Sequence, residues 1–154
     1  MGSNSCRVTG CSLQLKNNVT EADIRKALAD FLEYADTNFE AEVGDNIEFD
    51  EGKLHFSIDY WGTSASSDAI DDLIESLSAI VLGGQWIMLF DFDTGAIDEM
   101  KEPRFIGTDE ERYQGRLRYG ISMIESWVAP LIGEQAFKSV AAYIKAQPVI
   151  EIGS

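Results

Sequence analysis

The side chains that could do chemistry in this sequence are mostly carboxylates. Those with the best metal-ligand spacing run from Asp91 to Glu102. Asp91, Asp93, Glu99 and Glu102 fall at positions 1, 3, 9 and 12 of a calcium-binding loop. The match is incomplete, because Gly95 stands at position 5, where a ligand belongs, and Ala96 at position 6, where the sharp turn needs glycine. Position 8, usually apolar, is Asp98. Hard oxygen ligands of this kind suit calcium or magnesium. A divalent-metal-binding domain, or a small enzyme using the Asp91–Glu102 loop, is therefore one reading, against a plain acidic loop capping a strand.

His55 is the single histidine. Strand alternation turns it outward beside Glu48 or Asp50, where an imidazole could act as a base. No nucleophile is placed near it by sequence. Cys6 and Cys11 have no second pair, so they form neither a disulfide framework nor a zinc site. Neither has the basic, helix-starting surroundings that activate a thiol. A P-loop, a dinucleotide fingerprint, a nucleophile elbow and an HExxH motif are all missing. The expectation is a non-enzyme with no catalytic residue and no cofactor.

The wider distribution of acids says more. From Ala27 to Met100 there are eighteen carboxylates and one base, Lys53, a formal charge of −17. Residues 1–26 carry +2, and residues 101–154 balance seven bases against seven acids. The net −15 is therefore regional. Packing like charges together opposes folding and projects a negative field that a basic partner would feel. The same charge repels nucleic acid and anionic lipid, which are held by neutralising negative charge.

The elements that position these residues follow from periodicity. Residues 1–10 read as a flexible lead, followed by a single domain over 11–150. Cys11, Leu13 and Leu15 alternate as a short strand with one shared face. Thr20 and Asp23 form a capping box, with Val19 and Ile24 as its staple. The helix behind them buries Ile24, Ala27, Leu28, Phe31, Leu32, Ala35 and Phe39. Asp30, Glu33, Asp36 and Glu40 take the opposite side.

Ile47–Asp50 and Leu54–Tyr60 form a hairpin with Ile47, Phe49, Leu54, Phe56, Ile58 and Tyr60 inward. Glu48, Asp50, His55, Ser57 and Asp59 face outward. A second helix buries Ile70, Leu73, Ile74, Leu77, Ile80 and Val81, and exposes Asp68, Asp71, Asp72 and Glu75. Trp86–Phe90 is apolar throughout, as in a strand covered on both faces. Arg104–Ile106 adds a short edge strand. Thr108 and Glu111 cap a third helix burying Tyr113, Leu117, Ile121, Ile124 and Val128, and Pro130 closes it or starts the next turn. A last helix from Glu134 buries Phe137, Val140, Ala141 and Ile144.

The order β-α-β-β-α-β predicts an α+β, ferredoxin-like antiparallel sheet with two additional C-terminal helices. Such a fold supports many functions and carries little functional weight. Charge therefore decides the expectation. It is an acidic, non-enzymatic protein that inhibits or sequesters a basic, nucleic-acid-handling protein as a DNA mimic. Phage anti-defence proteins and nuclease immunity proteins work by such physics. The binding set is Asp30, Glu33, Asp36, Glu40, Glu48, Asp50, Asp59, Asp68, Asp71, Asp72 and Glu75. Trp61 joins them, at a strand end before a Gly-Thr-Ser loop, because Trp is over-represented at interfaces.

Direct nucleic-acid binding and membrane insertion are not expected, since no apolar run reaches the ~20 residues of a span. The cysteine usage suits a reducing cytoplasm. A structural, self-associating domain, homodimeric through the C-terminal helices, is the remaining alternative.

Overall fold

The computed structural model describes residues 4–38, 46–62, 66–92 and 100–148. The contact pattern separates two units, Met1–Gly115 and Arg116–Ser154, where the sequence suggested one domain over 11–150.

The first unit contains β1 (Asn4–Gln14), α1 (Glu21–Asn38), β2 (Ile47–Asp50), β3 (Lys53–Gly62), α2 (Ser66–Ser78), β4 (Trp86–Asp91) and β5 (Met100–Phe105). It also holds the first turns of α3 (Asp109–Ile132). The fold is α+β, a five-stranded antiparallel sheet in the order β2-β3-β1-β4-β5. The classic ferredoxin-like order expected is not met, because a fifth strand, β5, extends the sheet beyond β4. That strand is also longer than the Arg104–Ile106 edge read from the sequence, and it pairs with β4 over six residues.

Helix α1 starts where the capping box places it. The Thr20 N–H donates to Asp23 Oδ2 at 2.9 Å, and the Asp23 N–H donates to Thr20 Oγ1 at 3.2 Å. Ile24, Leu28, Phe31 and Ala35 are buried, with Val19, Ala27 and Leu32 packed at their margin. Phe39 lies outside the described residues. α2 lies against α1 and buries Ile70, Leu73, Ile74 and Leu77. Both helices close over one face of the sheet, where Cys6, Val8, Leu13, Leu54, Phe56, Ile58, Tyr60 and Ile87 join the same core. Each fully buried Leu or Ile contributes roughly 1.5–3 kcal/mol. Phe49, expected inward, is exposed at the outer strand β2.

β1 corrects the sequence reading in two places. It begins at Asn4 and buries Cys6 and Val8, so residues 4–10 are sheet and not a flexible lead. Its small, polar composition hid a strand whose partners on both sides supply the bulk. Register then shifts between Gly10, opposite Phe56, and Leu13, opposite Leu54. Cys11 and Ser12 thus both face His55 in a β-bulge, and Ser12 takes φ 51°. The bulge turns Cys11 out to solvent while Leu13 and Leu15 stay buried. The three do not share a face.

In β4 only Ile87 is fully buried. Trp86, Met88 and Phe90 are half-buried on the sheet face away from α1 and α2.

The start of α3 is locked to the turn before β4. Its capping box forms: the Thr108 N–H donates to Glu111 Oε1 at 2.9 Å, and the Glu111 N–H donates to Thr108 Oγ1 at 3.2 Å. The Glu111 carboxyl lies where a Cβ on Gly83 would be, and Gly115 sits against the Gly84 carbonyl. The two glycines allow this approach, which any side chain would block.

The second unit holds the rest of α3 and α4 (Glu134–Lys145). Pro130 does not close α3, which continues to Ile132, because only one N–H is lost in its last turn. Gly133, at φ 90°, makes the break. Among its described residues Phe137 alone is buried. Leu117, Ile121, Val128, Ala141 and Ile144 are half-buried, and Ile124 and Val140 are exposed, against the burial expected of all seven.

Candidate interaction surfaces

The carboxylates separate onto opposite sides of the first unit. Asp30 and Glu33 on α1, and Asp68, Asp71, Asp72 and Glu75 on α2, are exposed on the side of the helix layer away from the sheet. At 100° per residue the four α2 acids span only about 100° of arc. Like charges three and four residues apart repel each other by a few tenths of a kcal/mol per pair. Among the described residues none of these six carboxylates forms an ion pair. Asp36 also lies on α1, and Glu40 is outside the described residues.

Glu48, Asp50 and Asp59 lie on the other side, on the outer sheet face. Glu48 is opposite His55, and Asp50 is opposite Lys53. Asp59 meets Arg7 across the sheet at 2.6 Å, so it is neutralised within the chain. The twelve residues singled out from the sequence therefore do not form one surface. Trp61 is half-buried at the end of β3, and its carbonyl accepts a 3.5 Å hydrogen bond from the Tyr34 hydroxyl.

The outer sheet face grades from charge to aromatics. Asp59, Arg7, Phe90 and Lys101 stand in one row across β3, β1, β4 and β5. The Arg7 guanidinium lies 5.3 Å from the Phe92 ring centre, and Lys101 Nζ lies 5.6 Å from that of Phe90. Phe90 stacks on Phe92 at 6.2 Å, and Trp86 meets Phe105 edge-on at 5.9 Å. Nothing in the sequence separated these rings from ordinary core, since both faces of β4 are equally apolar.

The bulge in β1 produces a second arrangement that the sequence hid. Ser12 Oγ lies 3.4 Å from His55 Nε2, beside a shallow, open recess of about 430 Å³ lined by Arg7, Asn46, Glu48, His55, Phe56 and Ser57. The 43 residues between Ser12 and His55 give no local cue to this pairing. The contact is long for a hydrogen bond involving a hydroxyl, and both groups are open to water. It is a surface pair, without the enclosure that makes a serine nucleophilic.

For the metal reading, Asp91 ends β4 and Glu102 sits in β5, where Arg104 pairs with it. Asp93 and Glu99 lie outside the described residues. Among the described residues no group of three or more His, Cys, Asp or Glu side chains is gathered to hold a metal ion.

Among the described residues three groups titrate away from their ordinary values. Asp23 and Glu111 are held below the usual carboxylate range, first by the backbone N–H of Thr20 and Thr108 and then by the threonine side chains. Burial pushes the Tyr60 phenol upward. All three effects belong to the fold: two helix caps and a core tyrosine.

Among the described residues no helix is long and apolar enough to cross a membrane. Comparison of the chain with family models, with curated proteins and with solved structures finds no match.

Proposed function

We propose that the chain is an acidic, non-enzymatic binding protein that occupies the basic groove of a nucleic-acid-handling protein. The supporting observation is the outer side of the helix layer, where α1 and α2 hold six exposed carboxylates without an ion pair among the described residues. On this reading Asp68, Asp71, Asp72 and Glu75 form the contact stripe, and Asp30 and Glu33 widen it. Glu48 and Asp50 lie on the opposite face and serve only the long-range field. Such a field raises association rates and falls off as salt rises. Inhibition of a defence nuclease and immunity to a nuclease toxin are the two settings that need this physics. A reducing cytoplasm suits the two cysteines, Cys6 buried and Cys11 exposed.

The test is capture from lysate by the immobilised chain at low and at high salt. Basic nucleic-acid enzymes should be retained at low salt and displaced by added DNA. A variant with Asp68→Asn, Asp71→Asn, Asp72→Asn and Glu75→Gln should lose them while folding normally. Equal capture by that variant would refute the reading.

A further inference from the structure

In the second unit several large apolar side chains face water. Trp127 is 77% exposed, Leu131 82%, Tyr143 69% and Met123 50%, with Ile124 and Ile132 exposed as well. At 100° per residue Ile124, Trp127 and Leu131 lie within about 60° of arc on α3, with Met123 about 40° beyond Trp127. Gly120 lies on the same line one turn before Ile124, and a Cβ there would meet nothing within 4 Å. The stripe therefore contains its largest side chain and a bare gap, seven residues apart.

We propose that this stripe is a homodimer interface in which α3 packs antiparallel against α3 of a second copy. Each Trp127 then sits over the other copy's Gly120. A two-fold axis between Met123 and Ile124 exchanges position 120 with 127, 123 with 124 and 116 with 131. Bulk meets gap twice, as an isologous contact requires. The Arg116 stem covers Leu131 at each end, keeping its charge in water.

Area and charge both favour a second copy as the occupant. The exposed side chains of the stripe itself, Met123, Ile124, Trp127 and Leu131, present roughly 500 Å², toward the upper end of the ~300–600 Å² of a typical monomer's largest patch. With the Arg116 stem added it approaches the ~600 Å² that each partner contributes at the small end of stable interfaces. Residues 116–154 carry four bases and three acids, so two copies of this stripe meet without the repulsion of the acidic unit.

Sedimentation equilibrium of the full chain tests the proposal. The wild-type chain should dimerise, and more tightly at high salt, which screens the −15 on each copy. That is the opposite salt response to the proposed basic partner, so either idea can fail without the other. Trp127→Ala should weaken the dimer at least about 100-fold, as loss of a central aromatic anchor does. Gly120→Leu fills the gap and should weaken it comparably. It also removes a helix-weakening glycine from an exposed site, so misfolding is not the expected cause. A wild-type chain that stays monomeric at high micromolar concentration overturns the proposal, as does a dimer that both variants leave intact.

Discussion

The two units place polarity and bulk in opposite ways. In Met1–Gly115 two helices and a sheet share a closed core, and carboxylates cover the outside. In Arg116–Ser154 near-neutral helices bury Phe137 and leave Trp127 and Leu131 in water. Charge repels other copies of the first unit, whereas apolar area attracts them to the second. Stability and association should therefore respond to different halves of the molecule, and substitutions can separate the two.

The largest expected effect is in the acidic unit. Leu77→Ala, at a side chain with no exposure between α2 and the sheet, should cost about 3 kcal/mol in urea unfolding. Trp127→Ala, a larger truncation, should cost far less in the monomer because water already surrounds the ring. Equal losses would erase the distinction between the units. Gly115→Ala comes next, at about 1–3 kcal/mol, because its methyl group would press on the Gly84 carbonyl.

A smaller effect tests the α3 cap. The Glu111 carboxyl titrates below its ordinary value of about 4.5, so its contribution is complete above that pH and is lost as pH falls through the lowered value. Glu111→Gln keeps an acceptor for the Thr108 N–H but cannot titrate. The acid limb of its stability curve below pH 4.5 should be flatter than that of the wild-type chain. Neutralising Asp68, Asp71, Asp72 and Glu75 should change stability least, raising it by under about 1 kcal/mol at low salt as i,i+3 and i,i+4 repulsion is relieved. A drop in melting temperature would mean these acids hold the fold together.

Legibility in the sequence followed how local each signal was. α1 and its cap, α2 and the β2–β3 hairpin were readable because Thr20 with Asp23, the Ile24–Ala35 spacing and the Leu54–Tyr60 alternation all act within a few residues. β5 was only half visible, since Met100–Pro103 is strand by virtue of its neighbour and not by propensity. The half-burial of Trp86, Met88 and Phe90 was hidden because apolar composition does not say how far each face is covered. The same limit misled the α3 and α4 readings, where good amphipathic spacing produced almost no burial. Acid positions on the helices were legible. Their division between two sides of the sheet was not, because sheet order comes from pairings tens of residues apart.

The bulge in β1 has a consequence for the parity of that strand. Val8 and Leu13 are an odd number of residues apart, yet both reach the core. Two regular half-strands of opposite phase are joined at Cys11 and Ser12. Deleting Ser12 would restore even spacing and leave Val8, Gly10 and both leucines pointing inward. Deleting Thr9 instead would reverse the phase of everything before it and turn Cys6 and Val8 out to water. The core would close equally well on a chain one residue shorter, so the extra residue shapes only the surface around His55.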